Sequence, residues 1–125
     1  MGVALVALIA TTSVVGGLVI EPAFLGVSFD QPVFLTHAGE RTLYVVEQRG
    51  VIQALEFVTE EVEVYLNITD RVNLGGSEEG LLGLAFAPDF AESGHLFVYN
   101  SAAAPRRSVV ARFTASANGR PDPGS

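Results

Sequence analysis

Residues 73–90 read NLGGSEEGLLGLAFAPDF, and this stretch decides the fold. The apolar run LLGLAF predicts a buried strand, and the Pro-Asp pair after it predicts a turn. We expect Gly80 and Gly83 to mark places where another backbone or a ligand closely approaches this strand. A polar loop ahead of a rigid strand is a common way to present side chains to a binding site, so Glu78 and Glu79, just ahead of this strand, become the first candidate site residues.

The rest of the chain follows a hydrophobic period of two, which is typical of strands rather than helices. Residues 61–67 alternate apolar and polar side chains and predict a half-buried strand. Residues 42–47 and 51–55 predict two strands joined by Gln48-Arg49-Gly50, a hairpin loop whose final glycine takes a positive φ. The other candidate strands are residues 19–25, 33–36, 81–86, 96–100 and 109–114. No segment has a helical pattern, so the sequence predicts an all-β chain.

The strands also recur along the chain. Leu43-Tyr44-Val45-Val46 returns 53 positions later as Leu96-Phe97-Val98-Tyr99, and the strands on either side recur at similar offsets. A repeat of about 50 residues made of short antiparallel strands has the size of one propeller blade. The sequence therefore indicates two successive blades, with chance similarity between β-rich strands as the alternative.

The composition excludes several classes of partner and site. The 125 residues are 49% hydrophobic and 17% charged, which is enough apolar material for a buried core. Seven basic residues against 14 acidic ones give a net charge of −7, which argues against nucleic acid and anionic membrane surfaces as partners. The chain has no cysteine, so a disulfide, a thiolate zinc site and a cysteine nucleophile are all excluded.

The amino-terminal region is uncharged from residue 2 to residue 20. Its strongest apolar block, residues 3–10, has the length of the core of a signal peptide, although the usual positive charges before it are missing. We predict that residues 1–17 are an export leader or the remnant of a hydrophobic anchor, and that residues 18–125 form the domain. A buried first strand is the alternative. The leader hypothesis places the protein in the periplasm or outside the cell, with membrane contact only through this segment.

Several segments together resemble the glucose/sorbosone dehydrogenase family. The most specific is EGLLGLAF at residues 79–86, followed by PDF at residues 88–90. The others, in the family's order, are PVFLT at 32–36, LYVVEQRGVI at 43–52, LNITDRV at 66–72, LFVY at 96–99 and VVARF at 109–113. The resemblance covers the chain from about residue 19 to its end.

The resemblance implies about two blades from the amino-terminal part of a six-bladed β-propeller. Enzymes of this family bind pyrroloquinoline quinone (PQQ) on the propeller axis, with calcium in the best-known members, and oxidise an aldose to its lactone. A histidine base takes the hydroxyl proton while hydride passes to the quinone. The resemblance places that histidine, the cofactor clamp and the calcium ligands beyond residue 125. It therefore implies no catalytic residue, no metal ligand and no assigned cofactor contact in this chain, which we expect to be inactive alone.

One position of the family's site maps onto this chain. The residue two before the first glycine of the Gly-Leu-Leu-Gly signature faces the sugar and is glutamine in glucose-oxidising members; here it is Glu78. A carboxylate accepts hydrogen bonds from sugar hydroxyls but cannot donate as an amide does. The resemblance thus implies Glu78 as a substrate contact, with a solvated loop glutamate as the alternative. Ala87, where the family usually has histidine, is interpreted as the loss of a packing or hydrogen-bonding residue.

The sequence leaves two classes of function open, and a third class requires a fold unrelated to the propeller. The first is part of a PQQ-dependent sugar dehydrogenase, with a small sugar as substrate. The second is a non-enzymatic extracellular propeller module that binds carbohydrate or protein. The third is an independent small β-domain with an unrelated role.

His37 and His95, the only histidines, match no metal-binding spacing, and we expect structural or surface roles for both. Arg106 and Arg107 are predicted to lie at a solvated hairpin tip.

Overall fold

The computed structural model describes residues 13–124, with side chains from residue 16 onward. Most of the predicted leader, residues 1–17, lies outside the described residues. The elements in chain order are β1 (Ser13–Val15), β2 (Leu18–Ile20), β3 (Pro32–His37), β4 (Thr42–Glu47), β5 (Val51–Glu56), β6 (Val62–Asn67), β7 (Leu81–Phe86), α1 (Phe90–Ser93), β8 (His95–Ala102) and β9 (Arg107–Thr114). The prediction of an all-β chain is confirmed.

Two antiparallel sheets make up most of the described chain. The first sheet has the order β3-β4-β5-β6 and the second has the order β7-β8-β9, so in each sheet every strand pairs with the next one along the chain. The two halves of the sequence repeat fall on corresponding strands, since residues 43–46 lie in β4 and residues 96–99 lie in β8. The predicted repeat is therefore a repeat of structure. The strands β1 and β2 form a separate two-stranded hairpin.

The β4–β5 hairpin forms as its loop residues predict. Its register runs without a break from Thr42 opposite Glu56 to Glu47 opposite Val51. Gly50 ends the loop with φ of 112°, a conformation that favours glycine. A Cβ on that glycine would also lie 2.9 Å from the Cα atom of Thr69. Gly50 thus serves the turn and leaves room for the chain that follows β6.

The first and second sheets pack against each other around four aromatic rings, which we call the aromatic cluster. Its members are Tyr44, Tyr65, Phe86 and Phe90, and neighbouring ring centroids lie 4.6 to 4.7 Å apart. Fully buried aliphatic side chains surround these rings: Val46, Ile52, Leu66, Ile68, Leu81, Leu96 and Val98. Each such side chain contributes about 1.5–3 kcal/mol through burial, so this layer supplies most of the stability of the sheet pair.

Two parts of the chain differ from the sequence prediction. The strand predicted at residues 19–25 ends at Ile20, just before Glu21 and Pro22, and proline has no N–H to donate to a ladder. The side chains of β2 are 56 to 73% exposed. The helix α1 was not predicted, because its four residues are too few to leave a periodic pattern. It ends at Gly94, which has φ of 66°.

Candidate functional site

The loop ahead of β7 lies at one end of the two sheets, which we call the polar end. Because neighbouring strands are antiparallel, several connections meet there: residues 30–31, 47–50, 68–80 and 100–107. All buried polar or charged residues of the described chain, tyrosines aside, lie at this end: Glu47, Glu79, Asn100 and Ser101. Buried polar groups need partners, so this end has a defined hydrogen-bonding structure.

Glu79 anchors the loop. Its side chain is 9% exposed, and its Oε2 atom accepts a hydrogen bond of 2.8 Å from the Nδ2 atom of Asn73. Its Oε1 atom accepts from the Nε atom of Arg106, whose side chain is 73% exposed. A Cβ on Gly75 would lie 3.2 Å from the Glu79 carboxylate, and one on Gly76 would lie equally close to Arg106. The two glycines therefore make room for this ion pair rather than supplying a positive φ.

Gln48 ties the first sheet to the same loop. Its side-chain amide donates to the carbonyl oxygens of Ser77 at 2.7 Å and Glu79 at 2.9 Å. The backbone carbonyl oxygen of Gln48 accepts a hydrogen bond of 2.8 Å from the backbone N–H of Leu81. Gln48 thus joins the hairpin turn of the first sheet to the loop ahead of β7 by two hydrogen bonds and to the first residue of the second sheet by a third.

Gly80 is the position where the close backbone approach predicted from the sequence occurs. It has φ of 148°, and a Cβ there would lie 2.4 Å from the carbonyl oxygen of Gln48. At Gly83 the predicted close approach is not found, since a Cβ there would meet only the Cβ atom of Tyr99 at 3.6 Å. Gly83 instead follows an irregularity in the β7–β8 register. Only the first glycine of the signature is therefore fixed by contact with another segment's backbone.

Glu47 has a structural role at the same end. One carboxylate oxygen accepts from the backbone N–H of Asp30 at 2.9 Å, and the other accepts from the Gln53 amide at 3.3 Å. These bonds attach the segment before β3 to the hairpin of the first sheet. Both Glu47 oxygens are therefore engaged in holding the fold together at this end.

Glu78, the substrate contact that the resemblance implies, is exposed on the loop directly before the anchored Glu79. An open depression of about 590 Å³ lies beside it, and its lining includes Glu79 but not Glu78. The full lining is Gln31, Gln48, Arg49, Leu74, Gly75, Gly76, Ser77 and Glu79. This size falls within the range of small-molecule sites. Sequence reasoning placed both Glu78 and Glu79 ahead of the strand but did not predict the anchoring role of Glu79, because its partner Arg106 is 27 positions away.

The arginines beside the depression are already paired, whereas PQQ, a tricarboxylate, needs cations free to receive it. The guanidinium group of Arg49 is paired with Asp30 at 3.1 Å, and that of Arg106 with Glu79. Arg107 donates to the backbone carbonyls of Ala103 and Pro105. Within residues 13–124, no group of three or more histidine and carboxylate side chains is placed to hold a metal ion.

The two histidines lie at the opposite end of the sheets. His37 ends β3, and its Nδ1 atom accepts from the backbone N–H of Gly39 at 3.0 Å. His95 begins β8 and is half-buried. Neither is placed near the depression. Arg106 departs from its prediction, because it is solvated as expected but also forms the ion pair with Glu79.

None of the helices in the described part of the chain combines the length and the apolar character needed to cross a bilayer.

The fold belongs to a definite class. Two successive antiparallel meanders, packed face to face and joined from the outer strand of one to the first strand of the next, are consecutive blades of a β-propeller.

Solved structures with the same fold include two sugar dehydrogenases. They are the PQQ-bound form of aldose sugar dehydrogenase from Streptomyces coelicolor (TM-score 0.61, 24% identity) and a glucose dehydrogenase (TM-score 0.62, 20% identity). The alignments cover 76% and 73% of this chain, but 30% and 27% of those chains. The resemblance inferred from the sequence is thus confirmed at the level of the fold.

The curated proteins that match part of this chain have a different name. Hedgehog-interacting protein from Homo sapiens and from Mus musculus is 38% identical to this chain over 77 residues. That match covers 54% of this chain and 11% of the relative, so the chain spans about a tenth of the length of these proteins. No protein-family profile matches the chain.

Proposed function

We propose that this chain is the amino-terminal part of a PQQ-dependent aldose dehydrogenase-like propeller of the glucose/sorbosone dehydrogenase type. The shared fold with two sugar dehydrogenases and the signature-like run at residues 79–86 support this proposal. The observation that carries it is the anchoring of Glu79 by Asn73 and Arg106. That anchoring holds the loop in one conformation and leaves the neighbouring Glu78 exposed beside the polar depression.

The chemistry available at this end is sugar binding. The Glu78 carboxylate is a hydrogen-bond acceptor for sugar hydroxyls, and the depression beside it is lined mainly by polar groups. PQQ, when bound by a dehydrogenase, is the group that accepts the hydride. We assign the residues of this end to substrate positioning and not to the redox step, because Arg49 and Arg106, the arginines beside the depression, are already paired with carboxylates.

The first test is an activity assay of the 125-residue chain. We expect no dye reduction when the chain is mixed with PQQ, calcium and an aldose, because the described residues offer neither a placed base nor a cofactor clamp. A known sugar dehydrogenase in the same assay is the positive control. Turnover by this chain alone contradicts the proposal that the redox step lies outside it.

The second test measures sugar contact at the loop. We expect an added aldose to shift the amide NMR resonances of residues 73–80, and we expect Glu78→Gln to change those shifts, since an amide donates as well as accepts. Glu92→Gln is the matched control, because Glu92 is an exposed glutamate at the opposite end of the sheets. If the aldose shifts none of these resonances, or if the shifts are the same in Glu78→Gln and Glu92→Gln, Glu78 does not belong to the proposed site.

A second candidate function is a non-enzymatic, extracellular protein-binding propeller module. The identity of 38% to Hedgehog-interacting protein favours it, since that identity is higher than the identity to either dehydrogenase. Its test is surface plasmon resonance with an immobilised Hedgehog protein. Saturable binding together with no aldose-dependent shift at residues 73–80 favours the module, and the reverse pattern favours the dehydrogenase.

A further inference from the structure

A second cavity at the polar end lies between the two sheets, apart from the depression beside Glu78. Its volume is about 520 Å³, which is within the range of small-molecule sites. One wall is the connection at residues 68–73, and the other is the face of β8 and β9 that packs on the first sheet. The backbone N–H of Asn73 donates to the carbonyl oxygen of Ser101 at 2.8 Å and so holds the two walls together.

Small side chains leave the room inside this cavity. Ala102, Ala103 and Ala111 line it, and an alanine side chain ends at its Cβ atom. Val109 and Phe113 complete an apolar lining on the side of the second sheet. The cavity therefore offers an apolar surface to a compact ligand group.

Asn100 supplies a buried amide to the same cavity. It lines the cavity and is only 5% exposed. One N–H of its Nδ2 atom donates to the carbonyl oxygen of Ser101 at 3.2 Å. Its second N–H and its amide oxygen make no hydrogen bond with the residues that the structure describes. Because buried polar groups need partners, this amide has one donor and one acceptor to offer a ligand.

Two arginines line the cavity beside this amide. The Nε atom of Arg71 is 4.0 Å from the Oδ1 atom of Asp70, which is too long for a hydrogen bond. Arg107 uses only its Nη1 atom, which donates to two backbone carbonyls. Asp70 is the single acidic residue of the lining, so the cavity has a surplus of positive charge in a chain whose net charge is −7. Guanidinium N–H groups in such a position suit a carboxylate.

We propose that this cavity binds a small hydroxycarboxylate that carries a compact apolar group. The carboxylate accepts hydrogen bonds from Arg71 and Arg107, and the hydroxyl exchanges hydrogen bonds with the amide of Asn100. The apolar group packs on the alanines and on Phe113. No residue is shared between the lining of this cavity and that of the depression, so the proposal stands apart from sugar binding at Glu78.

The test is an NMR titration of the purified 125-residue chain with mandelate, which combines a carboxylate, a hydroxyl and a phenyl group. We expect saturable shifts of the side-chain amide signals of Asn100. Mandelamide lacks the charge and should bind at least about tenfold more weakly, because hydrogen bonds to charged groups are the stronger ones. Phenylacetate lacks the hydroxyl and should bind about threefold to tenfold more weakly.

Three variants locate the ligand. Arg71→Gln should weaken mandelate binding by about tenfold and leave the binding of mandelamide unchanged. Ala111→Leu fills the cavity and should abolish the binding of both. Arg41→Gln is the matched control for Arg71→Gln, because Arg41 is an exposed arginine in the β3–β4 connection at the opposite end of the sheets, and it should bind mandelate as the wild type does.

The dispersion of the backbone amide signals establishes that each variant is folded. The absence of saturable shifts at Asn100 overturns the proposal. So does equal binding of mandelate and mandelamide, or mandelate binding that is unchanged in folded Arg71→Gln. An equal loss in Arg41→Gln also overturns it, because that result indicates attraction to the charge of the whole chain rather than a site.

Discussion

The polar end and the aromatic cluster hold the same two sheets together by different means. At the polar end, Gln48 and Glu79 fix the loop ahead of β7 through directional hydrogen bonds, and Gly80 leaves room for a backbone 2.4 Å from where its Cβ would lie. In the aromatic cluster, Tyr44, Tyr65, Phe86 and Phe90 are held by ring packing, and the hydroxyl of Tyr65 is buried without a hydrogen-bond partner.

The aromatic cluster mainly stabilises the fold, whereas the polar end mainly fixes the position of the loop ahead of β7. Ring packing is strong and tolerates small shifts, whereas hydrogen bonds and a glycine contact define where one loop stands. The loop that carries Glu78 is at the directional end, which is the arrangement a binding site needs. Substitutions in the two regions should therefore differ in both size and kind.

The largest effect is expected in the aromatic cluster. Phe86→Ala removes the ring that contacts Tyr44, Tyr65 and Phe90, and it should lower the free energy of unfolding by about 3–4 kcal/mol. Val110→Ala at an exposed position should change it by less than about 0.5 kcal/mol. Urea denaturation measures both. Similar values for the two variants would show that the cluster is not the main source of stability.

Gly80→Ala should be next in size. Its Cβ would clash with the Gln48 carbonyl oxygen at a φ that favours glycine, and we expect a loss of about 2–3 kcal/mol. Gly83→Ala is the control, since its Cβ finds only ordinary contact at 3.6 Å, and it should stay within about 1 kcal/mol of the wild type. Thermal melts separate the two variants. Equal losses would contradict the tight approach at Gly80.

Glu79→Gln and Glu78→Gln compare the anchor with the candidate contact. The amide of Gln at position 79 would point one N–H group at the Asn73 or Arg106 donors, and we expect a loss of about 1–2 kcal/mol. The Arg106 side chain is largely exposed, so the ion pair itself contributes little of this. Glu78→Gln should leave stability unchanged. If Glu78→Gln lowers the free energy of unfolding while Glu79→Gln leaves it unchanged, Glu78 is the anchor of the loop and Glu79 is not.

The smallest effect concerns Tyr65. Tyr65→Phe removes a buried hydroxyl that has no partner, so it should be neutral or stabilise the fold by up to about 1 kcal/mol. Tyr99→Phe, which removes an exposed hydroxyl 3.0 Å from Ser108, is the control and should be near neutral. A marked loss in Tyr65→Phe would mean that its hydroxyl does have a partner.

A related pH dependence follows from the same burial. Burial, and then the neighbouring Tyr44, raise the pKa of Tyr65 above its usual value of 10.0, and burial and Glu40 likewise raise the pKa of Tyr44. Above pH 10 the unfolded chain loses these protons before the folded chain does, so stability is full below that pH and falls as pH rises. Ultraviolet titration should show Tyr44 and Tyr65 ionising at a higher pH in the folded chain than in the chain unfolded in urea.

The sequence predicts the fold well because its strands are local patterns. The hairpin at Gly50, the strand Leu81–Phe86 and the repeat of β4 in β8 all follow from alternation and turn chemistry within a few residues. The error at residues 21–25 arises because the apolar residues that follow Pro22 have strand-like composition, whereas Pro22 itself has no backbone N–H to continue the ladder.

The site was less accessible to sequence reasoning. Glu78 and Glu79 are adjacent and chemically identical, and what distinguishes them is contact with Asn73 and with Arg106, 27 positions further on. Partners at that separation are set by how β8 and β9 return to the polar end. The glycine pair at residues 75–76 was the available signal, because it leaves room beside a carboxylate.

Gln48 has a consequence for the architecture as a whole. A ring built from such sheets closes only when each sheet is set against the next at a repeated wedge angle, and Gln48 contacts both sheets where they meet. One amide side chain in a tight turn therefore helps to determine curvature, and through curvature how many sheets complete a circle.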